Sequence, residues 1–228
     1  MSELVERLRK LDSAAVSDAL DRHGVAGVLS GLRPLAADRP IAGRAVTVRL
    51  GPPGSPGAPP PARHLGTAAV DAAGPGDVIV VAHQGRVDCA GWGGLLSRAA
   101  AVRGIAGVVV DGAARDLGEA EAAGLPVHAV LAVPVTARGR AVELAWGEPV
   151  ELAGVPVAPG DLVLADGGGA VVVPAARAAQ VLATAERIAA TEAAMAAAID
   201  AGRPVSEVMG RTYEELTGGA ELTGADDH

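Results

Sequence analysis

The chain has 228 residues, a formal net charge of −8, and half of its residues are hydrophobic. This length fits one domain over 1–228, and the acidic balance argues against a nucleic-acid partner, because nucleic-acid binding needs a basic surface. Alanine and valine supply most of the hydrophobic residues, and the only aromatic residues are Trp92, Trp146 and Tyr213. Small side chains bury little apolar area each, so we expect contacts between subunits to supply part of the stability.

The cysteine content and the first residues bear on location. Cys89 is the only cysteine, so no internal disulfide can form, which is typical of a reducing cytosol and predicts a cytoplasmic protein. We expect Cys89 to be a buried small residue rather than a nucleophile. The segment 1–10 is charged and amphipathic, unlike a signal peptide, and no apolar run is long enough to span a bilayer. The sequence therefore predicts no membrane partner.

The predicted elements begin with two short helices over 2–10 and 13–23, with Asp12 or Ser13 capping the second. A strand is then predicted to end just before the segment 51–63. The proline and glycine content of that segment excludes a helix or a central strand. We predict a flexible surface loop there, with a lid near a site as the alternative.

Between residues 65 and 130, predicted helices alternate with valine-rich strands. This alternation is typical of a parallel sheet whose faces are covered, and it indicates the α/β class. The predicted helices cover 65–73, 93–103 and 116–123, and the predicted strands cover 77–82, 106–111 and 126–130.

The helical pattern stops over 140–174, where we predict antiparallel hairpins. Asp166 with Gly167–Gly169 is most simply a tight hairpin turn. A glycine-rich cofactor loop is the alternative, but it needs a helix next, whereas a strand and a proline follow. The alanine-rich segment 175–201 is predicted to be one long helix, and the tail from about 219 to 228 is predicted to be frayed.

The stretch from Trp92 to Glu119 is the most informative part of the chain. A helix begins there at Gly93–Gly94 with no side chain over its first free N–H groups, and such an uncovered N-terminus favours an anion. Arg115 and Asp116 follow the next strand, at the end where open α/β sheets build their sites. Arg115 offers a planar fork for a carboxylate or phosphate, and Asp116 offers a hard oxygen for a cation such as Mg²⁺. The sequence therefore predicts a pocket for a small anionic substrate beside a metal.

The same stretch resembles the RraA-like family, which includes the 4-hydroxy-4-methyl-2-oxoglutarate/4-carboxy-4-hydroxy-2-oxoadipate aldolases. The matching pieces are WGxLL at 92–96, GVVVDGAxRD at 107–116 and Glu119, which closes an R-D-x-x-E. Further similar segments lie in the same order along nearly the whole chain, at 17–20, 43–48, 74–81, 124–129 and 158–174. The resemblance implies one domain with a three-layer β/β/α swivelling fold and a C-terminal helix. It also implies a homotrimer, or a hexamer of two stacked trimers.

The resemblance also implies roles for the candidate residues. The backbone amides of Gly93, Gly94, Leu95 and Leu96 would hold the carboxylate of a 2-oxo acid. Arg115 would bind the substrate and assist the leaving oxygen, and Asp116 would be the direct ligand of Mg²⁺ or Mn²⁺.

Other interpretations of the same residues stay open. The glycines could start an ordinary helix, Arg115 could form a surface salt bridge with Asp116 or Glu119, and Asp116 could cap the following helix. Glu119 is interpreted as an outer residue of the site or a helix-surface residue.

One position departs from the family pattern. The metal-binding aldolases tend to have Asp or Glu twenty-one residues before the arginine, and Gly94 stands there in this chain. Losing a carboxylate that contacts metal-bound water should weaken the metal site. Asp88 is close in sequence and could compensate. His64 and His83 could carry a phosphate or act as general bases, but a lone histidine is more often structural.

These observations favour a metal-dependent lyase that cleaves a small 4-hydroxy-2-oxo acid to pyruvate by retro-aldol chemistry. Decarboxylation of oxaloacetate passes through the same enolate, so one site can serve both reactions. The only lysine, Lys10, lies far from the motif, which favours a metal over a Schiff base. The alternatives are a non-catalytic regulatory protein of the RraA type and a pathway-specific lyase or isomerase with a repurposed pocket.

Overall fold

In the computed structural model, which describes residues 3–56 and 64–209, helices pack around one eight-stranded sheet and a separate two-stranded hairpin. The helices are α1 (Glu3–Leu8), α2 (Ser13–Arg22), α3 (Thr67–Ala72), α4 (Gly94–Val102), α5 (Leu117–Ala122), α6 (Ala178–Asp200) and α7 (Val205–Val208). The strands are β1 (Arg33–Ala36), β2 (Ile41–Gly51), β3 (Val78–Trp92), β4 (Gly107–Ala114), β5 (Val127–Ala132), β6 (Val142–Trp146), β7 (Val150–Leu152), β8 (Val155–Val157), β9 (Leu162–Asp166) and β10 (Gly169–Val173).

The sheet has the strand order β1-β5-β4-β3-β2-β9-β10, with β6 also paired to β2. Strands β2 to β5 are parallel neighbours, which confirms the predicted parallel sheet, and every residue of β4 is buried. Strand β2 joins two halves of the sheet, because residues 41–44 pair with β9 while residues 45–49 pair with β3. The sheet therefore curls until its two halves face each other.

Three apolar clusters hold the layers together. Between the two halves of the curled sheet, Val80 and Val109 share a cluster with Val163 and with Leu152 of the β7–β8 hairpin. Helices α3, α4 and α5 cover the outer face of β2 to β5, and α1, α2 and α6 cover the outer face of β9 and β10. This arrangement confirms the predicted α/β fold with two β layers and a C-terminal helix.

Most predicted elements lie close to their observed bounds. Asp12 caps α2, because its Oδ1 accepts a hydrogen bond from the N–H of Ala15 at 2.8 Å. The long C-terminal helix is confirmed, preceded by a 3₁₀ turn at Ala175–Arg177. Asp166 pairs with Gly169 across a tight turn, which confirms the predicted hairpin and argues against a cofactor loop. In the described part of the chain, no helix is long and apolar enough to cross a membrane.

Three boundaries differ from the prediction. Strand β3 was expected to end near residue 82 but continues to Trp92, because register shifts let it stay paired with β4. Strand β6 pairs with β2 rather than forming a hairpin with β7, and Pro149, which cannot donate to a ladder, stands before β7. Strand β2 includes Gly51, the first residue of the predicted loop. Residues 57–63 of that loop and the predicted frayed tail over 219–228 lie outside the described residues.

Asp166 ties the start of α2 to the β9–β10 turn. Its carboxylate accepts hydrogen bonds from Ser13 N–H at 2.8 Å, Ser13 Oγ at 2.6 Å and Gly168 N–H at 2.8 Å. Although burial by itself raises the pKa of Asp166, the hydrogen bonds from Ser13 and Gly168 outweigh that effect, and the pKa lies below its ordinary value. The ionised carboxylate therefore contributes stability above the unfolded-state pKa, and this contribution is lost as the pH falls through the lower folded-state pKa.

Replacing Asp166 with asparagine is expected to remove this part of the acid sensitivity. We expect Asp166→Asn to be less stable than wild type at pH 7 and the difference to shrink as the pH falls below about 4. Urea unfolding between neutral pH and pH 3 measures it, with the exposed Asp38→Asn variant as control. A difference between Asp166→Asn and wild type that stays constant over this range would contradict the assignment.

Candidate active site

A cavity of about 90 Å³ opens where β3 and β4 end and α4 begins. Residues 90–96 form one wall, Arg115 and Asp116 form a second, and segments from elsewhere in the chain complete it. Those segments contribute His64, Leu65, Thr136 and Ala137. The structure therefore brings together every residue that the sequence singled out for substrate or metal, namely Gly93, Gly94, Leu95, Leu96, Arg115 and Asp116.

Helix α4 presents a partly open N-terminus to this cavity. Gly93 is its N-cap residue, with extended backbone and no side-chain cap. The N–H of Gly94 points to Oδ2 of Asp116 at 3.3 Å, while no acceptor for the N–H groups of Leu95 and Leu96 lies among the described residues. The expectation of a wholly uncovered N-terminus is thus wrong for Gly94, but two donors remain for an anion.

Asp116 follows β4 in a left-handed backbone conformation, with φ 54° and ψ 39°. Such a conformation is uncommon outside glycine, though aspartate tolerates it better than most residues, and it often occurs at functional sites. Asp116 stands at the N-cap position of α5, yet its side chain makes no capping hydrogen bond. Its Oδ2 instead lies 3.0 Å from Nε of Arg115, and within the described chain Oδ1 accepts no hydrogen bond. The helix-cap interpretation of Asp116 is therefore wrong.

Arg115 forms a salt bridge with Asp116 and not with Glu119, so one of the open alternatives is observed. Only Nε takes part in it, and the two terminal guanidinium nitrogens have no acceptor in the described part of the chain. The side chain is 35% exposed and lines the cavity. Such a fork, held at one nitrogen and free at two, is suited to bind a carboxylate.

Trp92 is linked by hydrogen bonds through Ser97 to the start of α4. Its indole Nε1–H donates to Oγ of Ser97 at 2.9 Å, and that hydroxyl lies 3.1 Å from the carbonyl oxygen of Gly93. Trp92 is buried and also lines the cavity. In the sequence, Trp92 stands out only as part of a motif, and no local pattern marks Thr136 as a site residue. Residue 136 follows β5 far along the chain, and no local pattern connects it to α4.

Of the histidines, Cys89 and Asp88 considered as further candidates, only His64 lines the cavity. His83 is buried away from it, and its Nε2 lies 2.9 Å from the carbonyl oxygen of Cys89. Burial lowers the pKa of His83. Cys89 is fully buried, as expected. Asp88 is bound by Arg86 at both carboxylate oxygens, at 2.9 and 2.7 Å, so it does not compensate for Gly94.

The donor set decides which metal would fit. Among residues 3–56 and 64–209, no three His, Cys, Asp or Glu side chains lie close enough together to share an ion. A structural zinc site needs four such ligands and a catalytic one needs three, whereas Mg²⁺ is held by one or two carboxylates and keeps several waters. Asp116 lines the cavity and its Oδ1 is free of hydrogen bonds in the described chain, which fits a Mg²⁺ site held by few carboxylates rather than a zinc site.

Comparison with known proteins agrees with this architecture. A family model described as "RraA-like: Aldolase/RraA" matches residues 13–172. The "Putative 4-hydroxy-4-methyl-2-oxoglutarate aldolase" of Halalkalibacterium halodurans is 31% identical over 192 residues, covering 81% of this chain and 83% of that protein. Protein DlpA of Legionella pneumophila is 31% identical over 91% of this chain, which spans only about a third (33%) of that longer protein.

A solved structure shows the same likeness. Streptomyces coelicolor RraAS2, described as an unusual member of the RNase ES inhibitor RraA protein family, superimposes with a TM-score of 0.73 at 32% identity. The match covers 82% of this chain and 92% of that one.

Proposed function

The chain belongs to the RraA-like family, and we propose that its cavity is the active site of a lyase that cleaves a small 4-hydroxy-2-oxo acid to pyruvate. Retro-aldol cleavage would depend on a divalent metal, Mg²⁺ or Mn²⁺, and the same site would decarboxylate oxaloacetate. The observation that carries the proposal is the meeting of Arg115, Asp116 and the open start of α4 in one cavity.

The substrate carboxylate has two sets of donors in this arrangement. The free N–H groups of Leu95 and Leu96 lie at the positive end of a nine-residue helix, and Arg115, whose terminal nitrogens have no acceptor in the described chain, lines the same cavity. We propose that these donors bind and orient the 2-oxo acid. The salt bridge to Asp116 restrains Arg115, so less conformational freedom is lost on binding.

Asp116 and Arg115 would then divide the chemistry between them. Asp116 would hold the metal through Oδ1, because Oδ2 is already engaged by Arg115 and Gly94. When bound, the metal would supply Lewis-acid stabilisation of the negative charge that develops on the 2-oxo oxygen. Arg115 would hold a water molecule that accepts the 4-hydroxyl proton as the C3–C4 bond breaks and returns a proton to C3 of the pyruvate that forms.

Pyruvate release from oxaloacetate tests this proposal without assuming the natural substrate. With added Mg²⁺, we expect release above the background of the free metal. A chelator and the Asp116→Asn variant should each abolish the excess, because either removes the metal from its ligand. Equal release with wild-type protein, Asp116→Asn and free metal alone would contradict the proposal.

The assembly and location of the chain stay predictions. We propose a homotrimer or hexamer in which a neighbouring subunit completes the cavity. Leu95, which lines the cavity and is 80% exposed, and Val102, which is 84% exposed on the same helix, support this proposal. The cytoplasmic location rests on the cysteine content of the sequence.

A second candidate is a non-catalytic binding protein. The likeness to the Streptomyces RNase-inhibitor family member and the missing carboxylate at Gly94 favour it. Against this alternative, a non-catalytic binding protein needs neither an arginine with free guanidinium nitrogens nor an uncapped helix N-terminus in a cavity. Metal-dependent pyruvate release would decide for the lyase.

A further inference from the structure

Most of the polar side chains that line the cavity already have a partner or a proposed role. Arg115 and Asp116 are paired with each other and are proposed to bind the 2-oxo acid and the metal. The indole N–H of Trp92 donates to a serine hydroxyl. Within the described chain, the polar side chains of the lining that remain are His64 and Thr136. These two are therefore left for a part of the substrate that Arg115 and Asp116 do not hold.

Both remaining side chains have a hydrogen-bond donor to offer. Only the carbonyl oxygen of His64 is engaged among the described residues, by the Thr67 hydroxyl at 2.7 Å, and the residue is exposed. Oγ1 of Thr136 accepts a hydrogen bond from the N–H of Arg138 at 3.2 Å, and no acceptor for the hydroxyl hydrogen lies in the described chain. An imidazole N–H and a hydroxyl group together suit a ligand group that only accepts hydrogen bonds, such as a carboxylate.

The charges near Thr136 also favour an anion. Arg140, which is exposed, approaches Thr136, and its Nη1 lies 3.4 Å from the carbonyl oxygen of that residue. Asp116, the acidic side chain that lines the cavity within the described residues, is already paired with Arg115. A carboxylate bound at Thr136 would therefore experience a net attraction.

Glu143 of β6 holds the turn that carries His64. Its Oε2 accepts a hydrogen bond from the N–H of Gly66 at 2.6 Å. Gly66 has φ 78°, a left-handed conformation that favours glycine, and a Cβ atom built on it would lie 3.3 Å from Cδ1 of Leu96 and 3.5 Å from the Trp92 ring. The turn is thus packed against the cavity wall on one side and tied to β6 on the other, which fixes the backbone that positions His64.

We propose that His64 and Thr136 form a subsite for a second carboxylate, carried by the substrate on the carbon beyond C4, and that Glu143 is a positioning residue for His64. This inference rests on the proposed function, because it concerns the other end of the same 2-oxo acid. With the 2-oxo acid end bound at Arg115 and the start of α4, the distal carboxylate meets the two free donors. The preferred substrates are then 4-hydroxy-2-oxo diacids rather than the corresponding monoacids.

Binding of two compounds that cannot undergo retro-aldol cleavage tests the subsite without turnover. 2-Oxoglutarate and 2-oxopentanoate share the 2-oxo acid end and the chain length, and they differ by a carboxylate against a methyl group at C5. By titration calorimetry with Mg²⁺ present, we expect wild type to bind 2-oxoglutarate about 10- to 100-fold more tightly, the range typical of hydrogen bonds to a charged group. His64→Ala and Thr136→Val should each lower this preference about 10-fold.

The positioning role of Glu143 has its own variants. Glu143→Ala should lower the preference for 2-oxoglutarate, and Glu143→Gln should restore most of it, because the amide oxygen can still accept from Gly66. Glu151→Gln, at an exposed position of β7 outside the cavity, is the control and should keep the wild-type preference. A merely structural role of Glu143 would weaken the binding of both acids alike.

The outcomes separate the subsite from the lyase. The subsite is wrong if wild type binds neither acid, if it binds both equally, or if either His64→Ala or Thr136→Val keeps the full preference. Metal-dependent pyruvate release from oxaloacetate then decides by itself whether the lyase proposal stands. Absence of both the preference and the pyruvate release would overturn the two proposals together.

Discussion

Arg115→Ala is expected to lower kcat/KM for pyruvate release by about 10²- to 10³-fold, the loss typical when one preorganised donor is removed from developing negative charge. Nε of Arg115 is held by Asp116 at 3.0 Å, so the guanidinium group of this cavity-lining residue is restrained before substrate binds. Replacement by alanine removes both terminal nitrogens and also leaves the Asp116 carboxylate without its arginine partner. Most of the loss should be in kcat if Arg115 acts in the step that breaks the carbon–carbon bond, whereas a rise in KM alone would indicate simple substrate binding.

Steady-state kinetics with two further variants sharpen this test. Arg115→Lys should recover little, because an ammonium group cannot keep the salt bridge and present a planar fork at once. Arg203→Ala, which removes an exposed arginine beyond α6, is the matched control and should leave the rate unchanged. Activity of Arg115→Ala within a few-fold of wild type would remove Arg115 from the mechanism.

Asp111→Ala is expected to lower the free energy of unfolding by about 1–3 kcal/mol, because it leaves the buried N–H of His83 without an acceptor and also removes the acceptor of the Ala153 N–H at the exposed turn between β7 and β8. Asp111 lies in β4 and is only 5% exposed. One carboxylate oxygen accepts from the N–H of His83, and the other accepts from the N–H of Ala153 at 3.1 Å. Burial raises the pKa of Asp111, because the ionised carboxylate is poorly solvated there.

Urea unfolding at neutral pH measures this loss. Asp38→Ala, at an exposed position, is the control and should change the stability by less than about 0.5 kcal/mol. Asp111→Asn should fall between Asp111→Ala and wild type, since its amide oxygen can serve one of the two N–H groups. Because Asp111 does not line the cavity, folded Asp111→Ala protein should keep its activity. If Asp111→Ala were as stable as wild type, the hydrogen bonds of Asp111 would not contribute to stability and the prediction would be wrong.

Elements governed by short-range interactions were predictable from the sequence. Asp12 caps α2, the alanine-rich segment forms α6, and Asp166 begins the tight turn between β9 and β10. Capping, helix propensity and turn formation depend on neighbours within a few residues. The valine-rich strands likewise indicated a covered parallel sheet before any contact was known.

The roles of single acidic residues were less predictable. The sequence allowed Asp116 to be a helix cap or a metal ligand, and its left-handed backbone and the approach of Arg115 decided against the cap. Asp111 was visible only as an aspartate at a strand end. Its partners are N–H groups of His83 and Ala153, in separate parts of the chain, so no local pattern could reveal its structural role.

By itself, the sequence determined the α/β class, the order of most elements, though not β1, and Gly93, Gly94, Arg115 and Asp116 as candidate site residues. These follow from periodicity, local propensity and the chemistry of neighbouring side chains, whereas Leu95 and Leu96 were implied by the family resemblance. Only the tertiary structure decided that residues 64 and 136 close the cavity, that β3 continues to Trp92, and that Glu119 occupies the space over Gly94. Contacts between residues distant in sequence depend on how the sheet curls and the helices pack, and a linear pattern does not record that geometry.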